Sequence, residues 1–271
     1  MWLRMAEAFG QLLFLMVLIP PTLIGPGALV LRRSRLGAPE RFVGAVSLSL
    51  VFLYLAALAG YVAGMPAGAW AWGTAGVCVA CGALARRDVA WMARSRRVRR
   101  MALVYALFSA WCFLLLCVTR HYAGGMWSGD WLAHYQKSVI FAGRAAVDPA
   151  LAVNLLLERP PAQNLVSAFY LSLVPGFESF QAISVALSAL IVVPAVWVAR
   201  EMVPGGLRRP QLAAAVALLI ASPMLVQSTT YTWTKHLSAF FAIAGRGFYL
   251  SATRRGDGGR LAVAVASLAG A

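Results

Sequence analysis

Long apolar runs broken by short polar stretches dominate the chain. Seven of them approach the roughly 20 residues that a helix needs to cross a bilayer. They are Gln11–Leu31, Phe42–Met65, Ala69–Ala85, Met101–Thr119, Phe177–Ala199, Gln211–Val226 and Lys235–Ala252. The third is short but almost uncharged. An eighth apolar stretch, Asn164–Val174, holds only about 11 residues, too few to cross, and is expected to be an amphipathic helix lying at or dipping into the outer interface. The pattern predicts an all-α fold, a polytopic transmembrane helical bundle whose one long extracytoplasmic loop contains juxtamembrane helices. The closing run Leu261–Ala271 is half a span with no capping or anchoring signal, which gives the expectation of a chain truncated at its C-terminus.

Charge fixes an expected direction. Arg32, Arg33, Arg35 and Arg41 follow the first run, and Arg86, Arg87, Arg94, Arg96, Arg97, Arg99 and Arg100 follow the third. Basic loops stay in the cytoplasm. Alternation then puts 120–178 outside and returns Arg200, Arg208 and Arg209, and later Arg254, Arg255 and Arg260, to the cytoplasmic side. Crossing at Asn164–Val174 would put Arg200, Arg208 and Arg209 on the wrong side. The expected location is the bacterial inner membrane, with the working face outside.

Composition agrees with a lipid solvent. Apolar residues make up 61% of the 271 and charged residues 12%, about half the charge a soluble domain carries; mean hydropathy is +0.74. The net charge of +15 suggests nucleic acid until its placement is read. Short arginine clusters between apolar runs fit anionic lipid instead, so no nucleic-acid partner is expected. The first apolar run is too long for a cleaved signal peptide, holds Pro20-Pro21 and leads into a basic loop. Cys78, Cys81, Cys112 and Cys117 lie in apolar runs, and the Cys78/Cys81 pair has no second ligand pair at zinc spacing, so they read as small hydrophobes.

Polar chemistry gathers in the outer segment. Asp130, Asp148, Glu158 and Glu178, four of the nine acidic residues, fall there with His121 and His134, and His236 opens the seventh run. Asp130, His134 and Lys137 are spaced i, i+4, i+7, one helix face, with Asp130 placed to cap it. The same spacing suits a simple cap and a solvated charged face. A divalent metal on Asp130 and His134 is possible but needs a third ligand that the sequence does not name; no other cofactor is expected. Glu158-Arg159-Pro160-Pro161 forces an extended turn before Asn164, and Tyr231-Thr232-Trp233-Thr234-Lys235-His236 sits at the mouth of the last run.

In that order and on one side, these elements resemble the C-type membrane glycosyltransferases. The likeness is to the bacterial relatives of the protein O-mannosyltransferases and of the aminoarabinose and lipopolysaccharide-core sugar transferases. Those proteins keep an acidic residue early in the first outer loop, matched by Asp130. A basic-Pro-Pro element, matched by Arg159-Pro160-Pro161, leads into an interfacial helix, matched by Asn164–Val174, and a returning span, matched by Phe177–Ala199. Thr232–Lys235 is similar to an outer-loop motif of one bacterial branch. Where many members hold a second carboxylate, this chain has Trp131. The resemblance covers 101–271 as the N-terminal portion of such a core, with its first outer loop at 120–178; 1–100 is a three-span segment without a counterpart.

The resemblance implies transfer of a sugar from a polyprenyl-phosphate donor to a lipid, glycan or protein hydroxyl. Asp130 would act as base, and His134 would orient it or bind the phosphate. Lys137, Arg159 and Lys235 would hold the phosphate, with Asn164 at the head of the interfacial helix and Trp233 against the sugar. Arg159 suits phosphate best because its fork grips in two places. Trp127, Trp131 and Trp233 equally suit anchoring at the interface. The rivals are a lipid or sugar transporter, for which Arg246 is the lone mid-span charge, and a non-catalytic membrane scaffold.

Overall fold

A computed structural model describes residues 2–118, 130–143, 162–202, 209–231 and 234–271, and the described residues contain helices and turns but no strand. In chain order the helices are α1 (Trp2–Val30), α2 (Ala38–Val62), α3 (Ala67–Leu84), α4 (Arg86–Arg94) and α5 (Arg96–Val118). They continue with α6 (Asp130–Phe141), α7 (Ala162–Leu173), α8 (Phe177–Ala189), α9 (Val192–Met202) and α10 (Arg209–Ala221). The last three are α11 (Pro223–Thr230), α12 (Lys235–Arg255) and α13 (Gly258–Ala269).

Five segments are long and apolar enough to cross a membrane: Phe9–Arg33, Ala38–Val62, Ala67–Leu84, Arg96–Val118 and Phe177–Glu201. These correspond to the first five expected spans. Large apolar side chains of α3 and α5, such as Trp72, Val79, Leu107 and Leu114, point away from the protein. Such helices are apolar all round, as lipid contact requires. The fifth segment is interrupted near Leu190. Pro194 has no N–H to give that carbonyl, which accepts from Val193 at 2.9 Å instead.

Three expectations need correction. The sixth run is not one helix, because Ser222 and Pro223 end α10 and start α11; the Ser222 hydroxyl caps the new helix through Leu225 N–H. Neither piece has spanning length. The seventh run is a continuous 21-residue helix, α12, but Lys235, His236 and Arg246 dilute its apolar character, and it is not among the five. Helix α7 is as short as expected, 12 residues, yet it is no amphipathic surface helix: Gln163 through Ser172 are all buried.

Small residues let the helices approach closely. A Cβ on Gly27 would stand 2.0 Å from the Ala45 carbonyl oxygen of α2, and one on Gly25 would stand 2.3 Å from that of Cys78 in α3. Gly27 N–H donates to Ser49 Oγ at 2.9 Å, tying α1 to α2. Thr22 Oγ1 lies 2.7 Å from the Tyr170 hydroxyl, tying α1 to α7.

The arginine clusters meet at one end. Arg41 donates to Asp88 at 2.7 Å, with Arg32 3.7 Å from the same carboxylate, and its guanidinium stacks 4.8 Å from the Trp91 ring. Arg260 grips Glu40 through Nε at 3.0 Å and Nη2 at 2.9 Å. Ser251 also donates to Glu40, and Glu40 caps its own helix through Gly37 N–H. The Glu40 carboxylate holds the Arg260 guanidinium charged, raising its pKa. The closing helix α13 is therefore anchored, contrary to the sequence expectation: Asp257 accepts from Gly259 and Arg260 N–H at its start, Arg260 pins it to α2, and Leu268 fills the space over Gly245 of α12.

Candidate functional site

Helices α6 and α7 build a buried polar cluster. Helix α6 starts at Asp130, after Gly129, and carries His134 and Ser138 one turn apart. Asn164, in the first turn of α7, is 2% exposed. Its amide donates to the His134 carbonyl at 2.9 Å and lies 3.3 Å from Ser138 Oγ and 3.4 Å from His134 Nδ1. Ser138 donates to the same His134 carbonyl at 2.9 Å. Most polar groups in apolar cores are bonded in this way. Lys137 is also buried, 3% exposed, so the face it shares with His134 is an interior one and not a solvated one.

Next to this cluster lies a cavity of about 340 Å³, at the small end of ligand-site volumes. Helix α2 contributes Leu50 and Tyr54, α7 contributes Ala162 and Gln163, and α12 contributes Lys235 and Ser238. Leu50 is about 18 Å along α2 from Ala38, by 1.5 Å per residue, so the cavity starts near the middle of that span. Gln163 is 3% exposed, and its side-chain oxygen has no hydrogen-bond partner. Lys235 is exposed at the same cavity. One wall thus offers an acceptor suited to a ligand hydroxyl and a cation suited to a ligand anion.

The α6–α7 contact brings His134 to Asn164, Lys137 is buried on the same helix as His134, and Lys235 lines the cavity with Gln163, the neighbour of Asn164. Asp130 opens α6; its side chain, like Trp131, Arg159 and Trp233, lies outside the described residues. His236 is buried and sits 3.1 Å from the Thr229 hydroxyl of α11. Arg246 is exposed on α12. Sequence reasoning passed over Gln163, Ser138 and Tyr54. The available signal was an amide pair, Gln163-Asn164, opening an otherwise apolar helix. All four cysteines are free thiols. Among the described residues no group of three or more His, Cys, Asp or Glu converges.

Comparison with protein-family models, with characterised proteins and with solved structures gives no match to this chain.

Proposed function

We propose that this chain is an integral membrane protein of the glycosyltransferase class that uses a polyprenyl-phosphate sugar, with the sugar-phosphate end of the donor entering the cavity between α2, α7 and α12. The observation that carries this reading is that cavity. Gln163 brings a buried acceptor without a partner, and Lys235 brings a cation to the same wall. A sugar hydroxyl satisfies the first and a phosphate the second. The positive-inside rule puts the arginine end in the cytoplasm and 120–178 on the opposite side, as required for a lipid-linked donor used outside.

In the proposed reaction the acceptor hydroxyl loses its proton to the Asp130 carboxylate as its oxygen bonds to the anomeric carbon. The bond from that carbon to the phosphate oxygen breaks, and the electron pair leaves on the lipid phosphate. Lys235 and Arg159 stabilise the charge that develops there, most strongly where water is scarce. His134 lies one turn along α6 from Asp130 and is fixed by Asn164, which supports a positioning role for it.

The test is transfer of labelled sugar from a polyprenyl-phosphate donor in membranes holding the full-length protein. Asp130→Asn lowers turnover by roughly 100- to 10,000-fold, the range for loss of a general base, at normal expression and insertion. Near-normal turnover reduces Asp130 to the start of a helix and removes the catalytic reading in favour of a scaffold or transporter.

A further inference from the structure

The fold pairs the arginines that it buries. Arg41 has Asp88, and Arg260 has Glu40 and Asp257. Three others, Arg97 exposed and Arg100 and Arg200 half-buried, gather on one surface without such a carboxylate. Arg97 and Arg100, one turn apart on α5, and Arg200 on α9 line one notch with Pro39 from the first turn of α2. None of the three forms an ion pair among the described residues. Among the described residues, the one carboxylate in the wall is the exposed Glu201. Three guanidinium groups around one notch repel one another, and the arrangement is stabilised when an anion sits among them.

A neutral donor points the same way. Trp197 lines this notch and a neighbouring cavity of about 90 Å³. It is 2% exposed, and its indole N–H has no partner. A buried donor left unbonded is costly unless a ligand satisfies it. The notch itself measures only about 10 Å³, room for about one water-sized atom. That is room for one ligand oxygen, with the guanidinium groups left to meet the others on the rim. Arginine forks match phosphate oxygens in pairs. The notch lies at the arginine end of two helices long enough to cross a bilayer, the depth at which lipid phosphates lie.

We propose that Arg97, Arg100 and Arg200, with the Trp197 indole N–H, form a phosphate-binding site at the arginine end of the bundle, separate from the Gln163–Lys235 cavity. The phosphate is carried by an anionic lipid headgroup or by a soluble phosphate.

The experiment uses the full chain purified in neutral detergent, with native mass spectrometry reading retention of added phosphatidylglycerol against phosphatidylcholine. Arg97→Gln/Arg100→Gln/Arg200→Gln weakens phosphatidylglycerol binding by at least about tenfold, since each arginine near an anionic surface contributes roughly fivefold. Arg86→Gln/Arg87→Gln/Arg94→Gln removes equal charge from the exposed face of α4 and leaves binding near wild type. The triple lysine variant at 97, 100 and 200 keeps the charge, so the fold is retained, but recovers only part of the affinity. Inorganic phosphate that displaces the lipid marks a site for the free anion; lipid binding indifferent to phosphate marks a headgroup site, and both support the proposal. Equal losses in the two glutamine triples, or a lysine triple that binds like wild type, reduce the effect to diffuse surface charge and overturn it.

Discussion

Asn164 and Gln163 are neighbours in the first turn of α7, yet they meet different surroundings. The Asn164 amide is bonded into α6 through the His134 carbonyl, whereas the Gln163 oxygen has nothing to accept from. Their replacements should therefore part. Asn164→Leu removes one of the two side-chain donors to the buried His134 carbonyl and costs about 0.5–1.5 kcal/mol, read as a lower thermal unfolding midpoint in detergent. Gln163→Leu removes an acceptor that was already unsatisfied, so the midpoint stays level or rises, while donor affinity falls. A Gln163→Leu protein as unstable as Asn164→Leu would mean that the Gln163 amide is structural and that the cavity has lost its main ligand-facing group.

Between elements, small residues govern packing. Gly27→Ala drives a methyl into the Ala45 carbonyl and separates α1 from α2, an overpacking cost of about 1–3 kcal/mol. Gly76, in the middle of α3, has no neighbouring atom within 4 Å, so Gly76→Ala gains about 0.5–1 kcal/mol of helix stability. Thermal unfolding of the two variants side by side, with opposite shifts, checks this. The same contacts mark what the sequence makes legible. Five spans follow from apolar length alone, and the start of α6 follows from Asp130 after Gly129. The burial of α7 does not. The sequence suggests an amphipathic interfacial helix over Asn164–Val174, but its polar residues Asn164, Ser167 and Ser172 are all buried, as is Gln163 before them. Asn164 turns to α6, and Ser172 returns to the Ala168 carbonyl of its own helix. Pro223 was visible, but its power to end α10 depends on the Ser222 cap. The Glu40–Arg260 pair joins residues 220 apart, and neither helix carries a local sign of the other.

For the whole molecule, the main feature is a difference between ends. Residues 32–41, 86–100, 200–201 and 254–260 come from distant parts of the chain and converge around the first turn of α2. The Gln163–Lys235 cavity opens further along the same helix. The positive-inside rule gives the expectation that the first end is cytoplasmic, and both the proposed donor site and the proposed role of Asp130 depend on the segment around Ser128 facing the other way. Single-cysteine labelling tests this most directly. With Cys78, Cys81, Cys112 and Cys117 replaced, Ser128→Cys and Ser95→Cys are treated in intact cells with a membrane-impermeant maleimide. Positive-inside orientation predicts labelling of Ser128→Cys in intact cells and of Ser95→Cys only after permeabilisation. Labelling of Ser95→Cys but not Ser128→Cys in intact cells would contradict it.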